Sequence, residues 1–370
     1  MKREVKFFVT GEGKVCVEDL SPLEAMVLQQ MGVKVKEYGD PIAPATPKRS
    51  LLRRVRVRGS LPDDVRSLES LHQDVVTNPE KYTDGDTTEG LSVFELKDYI
   101  MKKYLAKCLL CGLLCGGSFA RKGRCPMTRP ARYHHHFVHL GEEAEIGRTL
   151  VIELTGCNMR CKFCQKGELI RTARGRLLGK RLWNGIAREY DPADYCNISF
   201  LGGNPDQSIV GVLEFLNSGP EWSYNIPIVW HTNGYSTPSL YNLLRGLVDV
   251  WVVDFKYFDD RCSVSCSEAP RYVECAKQAL ETICELSPDV PVIVRHLILP
   301  GHWECCQKPL IEWLEGLKNQ TLVHLMDQYR PAWKAAASVD LDRTITSSEK
   351  GRVEKLAASR GLCITRSRCG

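Results

Sequence analysis

Three cysteines with a short, regular spacing are the residues of this sequence best suited to chemistry. Cys157, Cys161 and Cys164 lie in the segment CNMRCKFC, directly after the apolar run from Thr149 to Leu154. Three thiolates are one too few for a closed structural metal site, but they can hold three irons of a four-iron cluster and leave the fourth open to a chelating ligand. A zinc ion with a distant fourth ligand, or three buried free thiols, are the alternatives. The spacing favours the cluster.

A second group of cysteines precedes the first. Cys108, Cys111, Cys115 and Cys125 supply four thiolates within eighteen residues, and glycines flank them. Four thiolates complete a closed site, for which tetrahedral zinc and an auxiliary four-iron cluster are both suitable. We therefore predict a second metal site in this segment.

Other cysteines and histidines give weaker signals. Cys262 follows the fourth apolar run described below, and Cys305 and Cys306 follow the fifth. They could contribute to a further cluster, but neighbouring cysteines rarely bind one metal together, so we expect at most one of Cys305 and Cys306 to act as a ligand. Consecutive side chains also diverge in the run 134–136 of three histidines, so no more than two of them could bind one ion. We therefore expect this run to be a polar loop.

The cysteines are positioned by a regular alternation of strand and helix patterns that begins at Thr149. Six apolar runs are separated by segments of helical periodicity, and they are too apolar to face water on either side. This pattern predicts an α/β fold with a parallel sheet covered by helices. The six runs are TLVIEL, NISFLGG, IPIVWHTNG, DVWVVDFKY, VPVIVRHLIL and TLVHLMDQY. Such a sheet carries its chemistry at the carboxyl ends of its strands.

The segment CNMRCKFC resembles the cluster loop of the radical S-adenosylmethionine (SAM) superfamily. Within it, residues 108 to 335 resemble the pyruvate formate-lyase activating enzyme-like group, including its uncharacterised branch, and the resemblance implies a partial (βα)6 TIM-type barrel. The matching segments are HLGEEAEIG, TGCNMRCKFCQKGE, FLGGNP, WHTNGY, VDFKYFDDRC, VRHLILPGH and LMDQYRP.

The resemblance also implies the cofactors. Cys157, Cys161 and Cys164 are expected to be the catalytic residues that hold a [4Fe-4S] cluster, with SAM on the open iron. One electron from the cluster then splits SAM into methionine and a 5′-deoxyadenosyl radical, which takes a hydrogen atom from the substrate. Because relatives carry additional clusters, the resemblance slightly favours an auxiliary iron–sulfur cluster over zinc at the second cysteine group.

The SAM-binding residues of the family fall on the strand ends of this sequence. Gly202, Gly203 and Asn204 stand where the superfamily usually has Gly-Gly-Glu, so backbone contacts with SAM are expected to persist while a carboxylate is lost. Asp254 and Lys256 match a pair that contacts SAM. The remaining expected contacts are Phe163 in the cluster loop, Asn233 near the SAM ribose, for which a simple Asn-Gly turn is the alternative, and Arg295 as an anion contact for SAM or substrate.

Length and composition limit the class of protein. The 370 residues, 43% of them hydrophobic, suffice for a barrel-sized domain and a smaller appendage. No apolar stretch reaches the length of a membrane span and the first residues lack a secretory segment, so we expect a cytoplasmic protein with no membrane contact. Seventeen cysteines favour metal or redox chemistry in a reducing, anaerobic setting over a disulfide scaffold.

The chain divides into three predicted parts. Residues 1–95 form an N-terminal α/β extension with a basic linker, residues 96–148 a Cys-rich metal-binding insert, and residues 149–370 the barrel with a C-terminal helix and strand. The segment from Lys48 to Arg58 has six basic residues and no acidic one. A solvated edge strand protected by charge is favoured there over an anion-binding surface.

The activating-enzyme resemblance implies an oxidoreductase whose substrate is a protein or peptide and whose electron donor is a flavodoxin or ferredoxin. A small molecule of cofactor metabolism is the alternative substrate. An alternative of another class is a metal-stabilised nucleic-acid-binding protein, based on the basic segment and a zinc ribbon at the second cysteine group. The net charge of +5 is too small to imply nucleic acid, and this alternative leaves the strand-end motifs unexplained.

Overall fold

The structure is a computed structural model that describes residues 7–9, 15–17, 48–83, 89–117, 131–171, 174–338 and 340–365. Its N-terminal part contains two short antiparallel pairs, β1 with β2 and β3 with β4. Helix α3 begins at a capping box, in which Ser92 and Glu95 each accept a hydrogen bond from the backbone of the other. The elements are β1 (Phe7–Val9), β2 (Val15–Val17), α1 (Lys48–Leu52), β3 (Arg56–Val57), α2 (Val65–Thr77), β4 (Leu91–Ser92) and α3 (Val93–Leu105).

A nine-stranded sheet forms the centre of the molecule, in the order β13-β12-β11-β10-β9-β8-β6-β5-β7. The strands from β6 to β13 in this order are parallel, whereas β5 is antiparallel to both β6 and β7. Its strands are β5 (Arg132–His139), β6 (Thr149–Leu154), β7 (Arg176–Leu177), β8 (Asn197–Gly202), β9 (Ile228–Thr232), β10 (Val250–Asp254), β11 (Val292–Leu297), β12 (Thr321–Met326) and β13 (Ile364–Thr365).

All six apolar runs are strands of this sheet, namely β6 and β8 to β12. Helices connect the parallel strands, as crossover connections require. They are α4 (Gly167–Arg171), α5 (Lys180–Glu189), α6 (Ile209–Asn217), α7 (Pro238–Leu244), α8 (Asp260–Ser267), α9 (Tyr272–Leu286), α10 (Lys308–Leu314) and α11 (Ser347–Ser359). The predicted α/β fold, a partial TIM-type barrel of six βα units, is confirmed.

The burial of the strands explains why the site lies at their carboxyl ends. Strand β6 is buried throughout, while β8, β10, β11 and β12 are buried in their first residue and partly exposed at their last. Polar side chains at or just beyond these strand ends, such as those of Asp254 and Asn204, can therefore reach a ligand. Among the described helices, none combines the length and apolarity needed to cross a bilayer.

Two expectations about polar segments require correction. The histidine run 134–136 is not a loop, because it lies inside β5, where His136 Nε2 is 2.9 Å from Glu189 Oε2. In the basic segment, Arg49 is buried and donates a hydrogen bond to the Ile226 carbonyl at 3.0 Å. The expected solvated edge strand is therefore found only at Arg56–Val57, while Lys48–Leu52 is a helix. Cys125 lies outside the described residues.

Candidate active site

The cluster loop leaves β6 at Leu154 and is fixed to the end of the neighbouring strand β8. The Gly203 N–H donates to the Leu154 carbonyl at 2.9 Å, and the Asn204 N–H donates to the Gly156 carbonyl at 2.8 Å. These two bonds hold the first residues of the loop against the Gly-Gly-Asn segment. The predicted cluster loop and the predicted glycine pair are therefore in direct contact.

The two glycines are required by this close approach. Gly202 has a φ of +116°, a conformation that other residues rarely adopt. A Cβ atom at Gly203 would lie 1.9 Å from the Gly156 carbonyl oxygen. The backbone of β8 can therefore reach the cluster loop only without side chains at these positions.

The three cysteines of the loop are free thiols, with Cys157 and Cys161 buried and Cys164 half-buried. The Met159 N–H donates to Cys157 Sγ at 3.4 Å. Burial raises the pKa of all three thiols, that of Cys164 to about 11, and the Lys256 ammonium acts in the opposite direction on each of them. One ammonium group thus lies within electrostatic reach of all three sulfur atoms.

Lys256 pairs with Asp254 at the end of β10, where Lys256 Nζ lies 2.6 Å from Asp254 Oδ2. Burial opposes ionisation of both groups. Even so, Lys256 and Arg295 together lower the pKa of Asp254, and Asp254 and Cys161 raise that of Lys256. The ion pair is therefore retained at neutral pH at the rim of the sheet.

Asn233 connects the end of β9 to the cluster loop. Its Nδ2 donates to Asn158 Oδ1 at 2.8 Å and lies 3.6 Å from Cys157 Sγ, and its N–H donates to Asn204 Oδ1 at 3.1 Å. Asn233 is thus more than a turn residue. Asn204, which stands where the superfamily usually has glutamate, is buried and orients this neighbour.

Arg295, the fourth residue of β11, does not present a free charge. Its guanidinium makes two bonds to the Glu143 carboxylate, at 2.5 and 2.6 Å, and lies 3.1 Å from Glu142. Glu143 is fully buried and also lies 2.6 Å from His324 Nδ1. Arg295 is in register with Asp254 of β10 and acts on that carboxylate electrostatically, so its charge is shared among three acidic groups.

The remaining predicted residues lie around this centre. Phe163 is buried in the cluster loop and packs edge-to-face on Tyr329, with ring centroids 5.8 Å apart. In the second cysteine group, Cys108 and Cys111 are buried and Cys115 is half-buried. Within the described residues, these three sulfur atoms do not form a group in which every distance is under 4.8 Å.

Sequence reasoning missed several residues that support the site. Asn158 accepts from Asn233, and its position between two cysteines of CNMRCKFC could have indicated a role. Tyr272 has no such signal, yet its hydroxyl accepts from the Lys256 N–H at 2.8 Å and lies 3.1 Å from the Asn233 carbonyl. Ser267, which hydrogen-bonds with Cys161, is also distant in sequence.

The site brings together thiols, glycines and polar strand ends that suit an iron–sulfur cluster with a small-molecule ligand. Each outer thiol of the loop accepts a backbone N–H, from Met159 and from Lys166, and such bonds to sulfur are one of the levers that tune iron–sulfur clusters. The chain matches the family model of the Radical SAM superfamily over residues 152–314. Residues 152–314 are therefore a Radical SAM domain, and this family implies a [4Fe-4S] cluster and SAM as cofactors.

Comparisons with individual proteins give more distant relationships. The uncharacterized protein MJ0674 of Methanocaldococcus jannaschii is 29% identical over 278 residues, which are 73% of this chain and 80% of that protein. SuiB of Streptococcus suis, solved bound to SAM, is 12% identical with a TM-score of 0.41, over 57% of this chain and 48% of SuiB. A domain of the pyruvate-formate lyase-activating enzyme of Bacteroides vulgatus is 16% identical with a TM-score of 0.37, over 46% of this chain and 97% of that domain. The chain thus spans about half the length of SuiB.

Proposed function

We propose that this enzyme abstracts a hydrogen atom from a protein or peptide, with Cys157, Cys161 and Cys164 as cluster ligands. The observation that carries the site assignment is the position of Lys256, whose ammonium acts on all three thiols while it pairs with Asp254. A cation beside three thiolates offsets part of their charge. The polar groups at the ends of β8, β9 and β10 then surround the place where SAM would bind.

Each residue of the site has a proposed task in binding SAM. The Gly202-Gly203 backbone gives room for the SAM amino group beside the cluster loop, and Asn204 keeps Asn233 oriented. Asp254 and Lys256 would bind the polar parts of SAM, the buried Phe163 would add an apolar group beside the cluster ligands, and Arg295 favours the charged form of Asp254. When bound, the cluster and SAM supply a radical able to remove a hydrogen atom. The chain's own contribution is to position both and to exclude water.

The activating-enzyme-like segments of the sequence support a protein or peptide substrate. The sheet also remains open, with β13 and β7 as separate edges, and four strand ends are partly exposed. An open barrel leaves access for an extended peptide to the strand ends. A flavodoxin or ferredoxin is the proposed electron donor, and Cys108, Cys111, Cys115 and Cys125 are proposed to hold the second metal.

The substrate class can be tested by isotope transfer. Cell extract labelled with deuterium is separated by ultrafiltration into a protein fraction, a peptide fraction and a small-metabolite fraction. Each is incubated anaerobically with the reconstituted enzyme, SAM and a reductant, and deuterium in 5′-deoxyadenosine is measured by mass spectrometry. Label acquired from the protein or peptide fraction, and lost after protease treatment, supports the proposal. Label acquired only from small metabolites would establish the alternative substrate class.

The structure gives little support to a nucleic-acid-binding function. Arg49 of the basic segment is buried, and Arg53 forms an ion pair with Glu221 and lies over the ring of Tyr224. The charges of Arg49 and Arg53 are thus engaged by other groups of the protein, although Arg54 and Arg58 of the segment are exposed. Absence of a salt-dependent affinity for RNA is the expected result.

A further inference from the structure

Three thiols outside the cluster loop meet beside a cavity. Cys262 lies on α8, and Cys305 and Cys306 lie on a π-helical turn, Trp303–Gln307, that precedes α10. The three Sγ atoms all lie within 4.8 Å of one another, and no other group of three or more potential metal ligands among the described residues meets this criterion. Two elements separated by some forty positions in the sequence thus contribute to one thiol group.

The π-helical turn brings both neighbouring cysteines into this group. The N–H groups of Cys306 and Gln307 both lie 3.1 Å from the His302 carbonyl, and the Lys308 N–H bonds to the Trp303 carbonyl, which closes the wider turn. Such turns are rare in proteins, and those that occur are often found at functional sites. The expectation that at most one of Cys305 and Cys306 acts as a ligand remains untested, but both Sγ atoms lie close enough to that of Cys262 to share an ion.

The spacing of the sulfur atoms suits a single ion. A tetrahedral zinc ion with Zn–S bonds of about 2.3 Å holds its sulfur ligands about 3.8 Å apart, so only small movements of the side chains are needed. The cysteines of a four-iron cluster instead bind separate irons, and Cys157, Cys161 and Cys164 accordingly do not form so close a group. Thiolates without carboxylates select soft or borderline ions such as zinc.

A cavity adjoins the three thiols. Cys306 is buried, whereas Cys262 and Cys305 line a cavity of about 530 Å³ that also contains Arg261, His302 and Lys162 of the cluster loop. We propose that Cys262, Cys305 and Cys306 bind one Zn²⁺ ion whose fourth position faces this cavity. Three protein ligands with one open position are typical of zinc sites that bind water or a substrate donor. This site is independent of the substrate class proposed above.

The zinc site would also stabilise the cluster loop. Helix α8 carries Cys262 in its first turn, and at its end the Cys266 and Ser267 carbonyls accept hydrogen bonds from the N–H groups of Lys162 and Arg160, at 2.8 and 2.9 Å. An ion that joins α8 to the π-helical turn thereby fixes the helix that supports the loop.

The test compares metal content in the full chain, reconstituted anaerobically and then equilibrated with Zn²⁺ and passed through a weak chelator. We expect wild type to retain one more zinc per chain than Cys262→Ser or Cys305→Ser, with equal iron in all three. Cys196→Ser, at an exposed cysteine, is the matched control and should keep its zinc. Replacement of the zinc by Co²⁺ should give a thiolate charge-transfer band that the two variants lack. Equal zinc in wild type and in both variants would overturn the proposal.

A second measurement uses only the wild type, in case a variant does not fold. Alkylation followed by peptide mass spectrometry should show Cys262, Cys305 and Cys306 protected in the zinc-loaded protein and reactive after strong chelation, while Cys196 reacts in both states. Protection that is independent of the chelator, or a disulfide between Cys262 and Cys305 in the anaerobic protein, would contradict a zinc site.

Discussion

The side-chain amide of Asn233 donates a hydrogen bond to Asn158 Oδ1 at 2.8 Å, and so joins the end of β9 to the middle of the cluster loop. Asn158 in turn donates to the Tyr235 carbonyl at 2.9 Å. The loop is therefore fixed to the strand that is expected to face the SAM ribose. Any ligand that touches Asn233 is held at a defined position relative to Cys157.

Replacement of Asn158 by alanine should weaken this connection. A buried donor left without its acceptor costs about 1–3 kcal/mol, so we expect SAM-dependent formation of 5′-deoxyadenosine to fall about tenfold at equal iron content. The matched control is Asn184→Ala on α5, where the side chain is exposed. Equal rates for Asn158→Ala and Asn184→Ala would show that the link has no role in the reaction.

Replacement of Gly203 by alanine should displace the cluster loop, because the new Cβ would collide with the Gly156 carbonyl. Overpacking of this kind costs about 1–3 kcal/mol. We expect a lower midpoint of thermal unfolding and a lower iron content after reconstitution. Gly316→Ala is the control, since no atom lies within 4 Å of a Cβ there. Normal iron content in Gly203→Ala would contradict the close approach of β8 to the loop.

Replacement of Lys256 by methionine keeps the length of the side chain but removes the cation between Asp254 and the three thiols. We expect the Kd of SAM to rise on the order of tenfold, about the contribution of one charge-assisted hydrogen bond. Equilibrium dialysis with reconstituted protein measures this, with Lys318→Met as the control at an exposed position. Lys256→Arg should restore part of the affinity. An unchanged Kd would remove Lys256 from the SAM site.

His296 should make the stability of the protein depend on pH in the acid range. Burial lowers its pKa to about 4, and nearby Lys256 and His302 act in the same direction. Between pH 6.5 and 4 the unfolded chain therefore binds a proton that the folded chain does not. As the pH is lowered through this range, the free energy of unfolding falls by about 1.4 kcal/mol per pH unit.

This contribution can be isolated with a variant. Urea unfolding should show that the free energy of unfolding is lower at pH 5 than at pH 7.5, with about 2 kcal/mol of the difference due to this residue. That part of the difference should be missing in His296→Gln. His135→Gln, at an exposed histidine, should retain the full wild-type loss. The same pH dependence in wild type and in His296→Gln would mean that His296 does not remain neutral when folded.

The sequence indicates the central sheet well because strands buried on both faces appear as continuous apolar runs. This pattern identified all of β6 and β8 to β12. Strand β5 was missed, because half of its residues are exposed and its histidines suggest a loop. The cluster loop and the strand-end motifs could be found because each is a contiguous segment with its own spacing.

Contacts between distant segments could not be predicted in the same way. Nothing near Arg295 in the sequence indicates its pairing with Glu143, which is 152 positions away and becomes a neighbour only when β11 packs beside the turn before β6. The convergence of Cys262 with Cys305 and Cys306 likewise depends on a π-helical turn that has no clear sequence signal. Arg49 appeared to be a surface charge until its buried carbonyl partners were known.

The central claim, that Cys157, Cys161 and Cys164 support radical SAM chemistry, is tested most directly by 5′-deoxyadenosine formation. The protein is reconstituted anaerobically with iron and sulfide, supplied with SAM and a strong reductant, and compared with a variant in which the three cysteines are alanine. Cys196→Ala controls for loss of a thiol at an exposed position. We predict 5′-deoxyadenosine from the wild type and from Cys196→Ala but none from the triple variant. No product from a wild-type preparation with a demonstrated four-iron cluster would contradict the account.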